Sequence, residues 1–351
     1  MLRSVFLLAI LSTSVVAAEQ QLIPIGLDHV PHPKDDDEKI AKDLNLSYKT
    51  DLTPWSEDTP GHFPWPAQAG QDKYLEHLKD LKRRGFLISL TFTVVHMDQK
   101  HLPLDIIDKP FNDPVVLDRW EKYLTGWLNR YGDAVDCVNI GNELDHYFGG
   151  HPKEWKAWLE FMKRSYALAH RTHPKLKIGT VLAADQCENY WKDCQSYCDY
   201  MGCTYYAPSS TFVKNPTSQA LDPKSKLYVG RALDTVLRCA GAKPVLFTEV
   251  GCATHEQIDS SPELQAQFIQ ELFKWMRGKE ARILGMSWLA VSDWNFEGTR
   301  QSLEGNLDPK LLRDDRFLHY LTSLGLIYET GTPKIGYKVF KEEAASYRGK
   351  K

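Results

Sequence analysis

Apolar residues in this chain gather in short runs, and between the runs they recur at helical spacing. The runs are "LIPIGLD" (22–28), "LSYKTD" (46–51), "FLISLTFTVVH" (86–96), "VDCVNIGNE" (135–143), "KIGTVL" (177–182), "DYMGCTYY" (199–206), "PVLFTE" (244–249) and "ILGMSWLA" (283–290). Several are apolar throughout, as strands covered on both faces are. Leu117, Trp120, Leu124, Trp127 and Tyr131 step by three and four, the stripe of an amphipathic helix. Trp155, Trp158, Met162 and Tyr166 repeat the pattern. Leu264, Phe268, Leu272 and Phe273 do so after Ser261 and Pro262, a helix-start pair. Leu75, Leu78 and Leu81 form a further stripe that ends at a basic turn and Gly85.

Eight strands alternating with helices predict an α/β fold, a single-domain (β/α)8 TIM barrel spanning residues 19–351. A doubly wound open sheet is the alternative. It is disfavoured because neither G-x-G-x-x-G nor a P-loop follows the first strand.

In such a barrel the C-terminal strand ends share one mouth, where catalysis sits. The first strand ends in Asp28-His29, the second in Thr50-Asp51 and the third in His96-Met97-Asp98. The fourth ends in Asn142-Glu143, the sixth in Tyr205-Tyr206 and the seventh in Glu249. The eighth ends in Trp288, followed by Asp293-Trp294. This predicts a polar, aromatic-lined cleft. Glu143 and Glu249 end strands on opposite sides of the mouth, so their carboxylates can converge. Glycoside hydrolysis needs such a pair: one carboxyl protonates the leaving oxygen while the other attacks the anomeric carbon. Two close carboxylates also push their pKa values apart, so one stays protonated as the acid.

"IGNE" at 140–143, "FTEVG" at 247–251 and Ser287-Trp288 resemble the retaining (β/α)8 glycoside hydrolases of clan A. The resemblance implies that Glu143 is the acid/base and Glu249 the nucleophile. It implies that Asn142 holds the substituent at sugar C2, and that Tyr206, or alternatively Tyr205, hydrogen-bonds the nucleophile. Trp288 would floor the subsite of the sugar being cleaved, and His96 matches the polar residue after the third strand. "GNE" resembles endo-β-1,4-galactanases and plant and fungal β-1,3-glucanases, and "TEVG" those glucanases and some β-mannanases. "LDHYF" (144–148) matches no subfamily pattern. If it lines the cleft, it is a place where sugar choice is set.

Asp28, Asp51, His146 and Trp294 complete the candidate substrate-binding residues. His96 and His146 could equally be packing histidines, and the loop residues Trp55, Trp65 and Trp294 could stack on sugars or pin down loops. Glu143-x-x-His146 resembles half of a di-iron helix motif, but no second Glu-x-x-His exists to complete one. No G-x-S-x-G or H-E-x-x-H is present. No metal and no cofactor is therefore expected.

Net charge narrows the partners. The formal value of −3, with no basic run before the C-terminal "GKK", argues against nucleic acid. A carbohydrate substrate and a monomer are expected. Residues 1–18 read as a secretory signal: Arg3, the apolar "VFLLAIL", and small Val16 and Ala18 before Glu19. A retained anchor is the alternative. Signal removal leaves no membrane attachment and implies a secreted protein, extracellular or periplasmic. Export permits disulfides among the seven cysteines, with Cys187, Cys194 and Cys198 near enough in sequence for a short loop. Free thiols are the other option, and their spacing fits no usual zinc pattern. Cys137 and Cys203 read as buried thiols. Asn45-Leu46-Ser47 is a glycosylation sequon. A secreted retaining β-glycosidase is thus the leading expectation. An inactive carbohydrate-binding protein on the same barrel is the alternative.

Overall fold

The computed structural model describes residues 22–28, 37–55, 73–207, 214–304 and 309–348. The signal segment, His29, most of the charged run 31–39 and Trp65 lie outside them.

Each expected strand forms. The barrel strands are Ile25–Asp28, Tyr48–Thr53, Leu87–His96 and Cys137–Asn142, then a fifth in two pieces. The sixth to eighth are Met201–Tyr206, Val245–Gly251 and Ile283–Leu289. Neighbouring barrel strands pair in parallel. The pieces of the fifth strand, Lys177–Gly179 and Val181–Ala183, lie at the two ends of the pairing order. Thr180 joins them. Its hydroxyl donates to the carbonyl of Ile140 at 2.7 Å, and its own carbonyl accepts from the N–H of Gly202 at 2.9 Å. One residue thereby reaches both the fourth and sixth strands, and the barrel nearly closes.

Helices fill the crossovers. α1 (Asp37–Asp43) and α2 (Lys73–Arg83) precede the second and third strands. α3 (Pro114–Tyr131) precedes the fourth; α4 (Leu144–Gly150) and α5 (Trp155–Thr172) precede the fifth. α6 (Cys187–Cys194) follows the fifth, and α7 (Pro216–Leu221) and α8 (Val229–Ala240) follow the sixth. α9 (Pro262–Met276) precedes the eighth. The start signal at Ser261 works as read, capping α9 by accepting from the N–H of Leu264, and Asp113 caps α3 in the same way from that of Val115. The stripe of α3 is buried from Leu117 to Tyr131. Trp120 packs edge-on to Trp55 and Phe92 and donates its indole N–H to Ser165 at 2.8 Å. Trp55 is thus a loop pin.

The chain continues past the eighth strand into α10 (Phe296–Leu303), α11 (Pro309–Leu312), α12 (Asp315–Thr322) and α13 (Ile335–Arg348). α13 packs against α9 through Phe340 on Phe273. Gly325 lets this segment run against the end of the eighth strand. A Cβ there would sit 2.2 Å from the N atom of Asp293 and 2.3 Å from the carbonyl carbon of Ser292.

Low in the barrel the interior is polar and hydrogen-bonded. The Tyr48 and Ser89 hydroxyls lie 2.8 Å apart, and Ser89 donates to Thr50. The Tyr200 hydroxyl donates to Oδ1 of Asn139, whose amide donates to Thr91. Buried polar groups are tolerated only when paired in this way.

The seven cysteines are free thiols, and all but Cys239 are buried. Cys187 contacts Cys239, and Cys194 contacts Cys198. Asn45 is exposed in a left-handed turn before the second strand. No described helix is long and apolar enough to cross a membrane.

Candidate active site

Glu143 follows directly on the fourth strand. Gly141 turns the chain with a φ of 83°, where a Cβ would collide with Leu144 at 2.3 Å. Glu143 itself takes a left-handed backbone, φ 49° and ψ 50°. A non-glycine residue in that region is strained, and such strain gathers at functional sites. Glu143 is 9% exposed, and its Oε1 accepts a hydrogen bond from the Thr204 hydroxyl at 2.7 Å.

Glu249, within the seventh strand, is partly buried. Its Oε2 accepts from the Tyr206 hydroxyl at 2.5 Å and its Oε1 from the Asn142 amide at 3.4 Å. The same amide nitrogen lies 3.3 Å from Nδ1 of His96. With Asn142 Nδ2 donating to both, His96 Nδ1 must be the acceptor, which places the ring proton on Nε2. Glu249 fixes the amide orientation, because a flipped Asn142 would face the carboxylate with its own oxygen. Burial, then His101, lowers His96 to about 4, so the imidazole is neutral at working pH.

Burial raises the Glu143 pKa; nearby His146 and Thr204 pull it down, and Asp145 pushes it up. Glu249 is raised to about 7, by burial first and the Glu143 charge second, against the donors Tyr206 and Asn142. The two carboxylates therefore feel each other and do not readily ionise together. Glu249 has two donors to stabilise its anion and Glu143 has one. The Glu249 anion is thus the better hydrogen-bonded of the two.

Glu143, Glu249, Asn142, His96 and Tyr206 thus come together as read from the sequence. Tyr205 points away, stacked on Phe268 of α9. Asp28 ends the first strand in register with Leu289, but its side chain lies outside the described part. His146 is exposed on α4 beside Glu143. Trp294 packs in an apolar cluster with Met97, Tyr206, Leu289 and Tyr320.

Two candidates lie elsewhere. Trp288 is fully buried against Phe268 and Phe340 in the helix layer. Strand alternation sends Met286 and Trp288 outward, so Leu289 takes the mouth position expected of Trp288. Asp51 faces α2, where its carboxylate pairs with Lys49 at 2.7 Å and accepts from the Tyr74 hydroxyl at 3.1 Å.

"LDHYF" is mostly packing. Leu144 is buried beneath the Gly141 turn, and Phe148 packs with Phe111, Trp155 and Trp158. The Tyr147 hydroxyl donates to Glu154. Asp145 accepts from the N–H of Ala183 at 2.8 Å. Only His146 faces solvent.

Tyr320 is the residue the sequence reading missed. It comes from α12, beyond the eight strands, and packs edge-on to Tyr206 at 6.0 Å. Burial, Glu143 and Glu249 together hold its pKa well above the usual phenol value, so it is a neutral donor beside both carboxylates. Nothing in the local sequence distinguishes it from a core aromatic of an amphipathic helix.

No protein-family model matches the chain, and no curated protein matches it in sequence. Solved structures do match. An exo-β-1,4-mannosidase from Opitutaceae bacterium strain TAV5 superposes with a TM-score of 0.65 at 19% identity, over 94% of this chain and 60% of that one. A β-glucuronidase of Bacteroides uniformis gives 0.60 at 13%, over 95% of this chain and 36% of that one. A GH5_18 protein of Bifidobacterium longum subsp. infantis gives 0.60 at 16%, over 94% and 80%. This chain spans less than two thirds of the first two. The likeness establishes the fold: the barrel is that of glycoside hydrolase neighbours.

Proposed function

We propose that this chain is a retaining β-glycoside hydrolase acting by double displacement, with Glu143 as acid/base and Glu249 as nucleophile. One observation carries the reading: two glutamates, both raised by burial and Glu249 further by the Glu143 charge, share a site at the barrel mouth, and only Glu249 is cradled by two donors. In the first step the Glu249 carboxylate attacks the anomeric carbon. The bond to the leaving oxygen breaks as Glu143 gives that oxygen its proton, leaving a glycosyl ester on Glu249. Glu143, now ionised, takes a proton from water. That water attacks the same carbon and frees Glu249, with configuration retained. Asn142 holds Glu249 and is placed to meet the neighbouring sugar hydroxyl, while neutral His96 orients Asn142. The substrate is a β-linked oligosaccharide or polysaccharide, and the signal-like residues 1–18 support export.

The test is hydrolysis of a panel of β-mannosides, β-glucosides, β-galactosides, β-glucuronides and their polysaccharides. β-Mannosides come first, because the Opitutaceae neighbour is a mannosidase and a Bifidobacterium longum GH5_18 structure holds Manβ1-4GlcNAc. Proton NMR of the first product should show the β anomer. Glu249→Gln should lose about a thousandfold or more in kcat on every substrate. Glu143→Gln should lose least on aryl glycosides whose leaving group needs no proton. An active wild type matched by either variant would overturn the assignment.

A further inference from the structure

We propose that Tyr320 binds the sugar at the point of cleavage, its hydroxyl donating to a hydroxyl of that sugar and its ring supplying the aromatic wall that Trp288 does not. The proposal rests on the glycosidase reading and concerns the same site. Three observations place it there. The eighth strand turns Trp288 into the helix layer and presents Leu289 to the mouth, so the strand itself offers no aromatic there. Tyr320 fills this side: it shares a cluster with Leu289 and Trp294 and meets Tyr206, the donor to Glu249. Its hydroxyl feels both Glu143 and Glu249, yet has no hydrogen-bond partner among the described residues. A neutral phenol next to two carboxylates, with its proton uncommitted, is suited to a polyhydroxylated ligand held between them.

The ring is also held still, as a binding residue must be. Asp314 caps α12 by accepting from the N–H groups of Arg316 and Phe317. Arg316 reaches the loop after the seventh strand, donating to the carbonyl of Gln257 at 2.5 Å and to Asp259 at 3.3 Å. His319 stacks on His255 of that loop at 3.8 Å. The helix that carries Tyr320 is therefore tied to the loop that follows the Glu249 strand.

Tyr320→Phe and Tyr320→Ala are compared with wild type on aryl β-glycosides that vary in sugar and in aglycone. Tyr320→Phe should lower kcat/KM about 10–100-fold, with a thermal midpoint within about 2 °C of wild type. The loss should be the same for every aglycone of one sugar and change when the sugar changes, because the contact is to the sugar. Tyr320→Ala should lose more. A structural role would not produce that split. If Tyr320→Phe keeps kcat/KM within about twofold on every glycoside that wild type hydrolyses, the proposal falls and the catalytic assignment stands. If wild type hydrolyses none, the glycosidase reading falls, and calorimetric binding of the same glycosides decides. Weaker binding to Tyr320→Phe sustains the contact, whereas equal or absent binding overturns it.

Discussion

Burial is the first cause of the raised Glu143 pKa, and Asp145 adds to it. Its side chain is 1% exposed, one oxygen accepts from Ala183, and Oδ2 has no hydrogen bond; His146 Nε2 lies 3.8 Å away. Burial raises the Asp145 pKa too, but once ionised it makes a negative charge on Glu143, two residues before it, more costly, which helps keep Glu143 protonated. Asp145→Asn retains an oxygen for Ala183 and removes the charge. Without it, Glu143 loses its proton more easily. The alkaline limb of the kcat/KM profile should therefore move to lower pH, while the acidic limb, governed by Glu249, moves less. A limb that stays in place or moves upward would contradict this role. The pair Asn142-Glu143 was legible because two polar residues ended an apolar run. The influence of Asp145 on it was not, because a carboxylate in the first turn of a helix ordinarily reads as a helix-dipole partner.

Among the secondary elements, the strands were the most legible part of the chain. Runs covered on both faces are apolar throughout, so they stand out, yet the same property hides which residues face inward. This is why the eighth strand was found and Trp288 was placed on the wrong face. The segment after that strand was the least legible. Lys334 anchors it with a side chain that is fully buried, donating to Asp293 at 2.7 Å, Thr254 at 2.8 Å and the Ser323 carbonyl at 3.2 Å. Asp293 in turn accepts from the N–H of Gly325. Lys334→Met should cost about 3–5 kcal/mol, because it strands a largely buried carboxylate. Adding Asp293→Asn should recover part of that loss, and a double-mutant cycle by urea unfolding measures the coupling. Because Lys334 secures the segment carrying Tyr320, Lys334→Met should also lose activity below its unfolding midpoint. Unchanged stability in the single variant would show that the pair contributes little.

Over the whole molecule, the barrel buries carboxylates from strands more than a hundred residues apart in sequence beside each other, and no local pattern reports what that does to their charges. That burial has a consequence for stability. Glu249 rises from 4.5 to about 7 in the folded chain, through burial and then Glu143. A raised carboxylate pKa means that the native state holds the proton more tightly than the unfolded state does. The stability it confers is complete below about pH 4.5 and is lost as pH rises through about 7. Glu249→Gln stays neutral at every pH and escapes this loss. Its advantage over wild type should be near zero at about pH 4, grow between about 4.5 and 7, and level off above that at about 1–3 kcal/mol. Urea unfolding of both proteins across that range measures it. A constant difference, or a variant less stable at pH 8, would mean that the folded barrel does not raise Glu249. The sign matters because it sets function against stability. The carboxylate proposed to attack the sugar is held at the mouth at a cost to the fold, and removing its charge should yield a more stable protein that no longer cleaves.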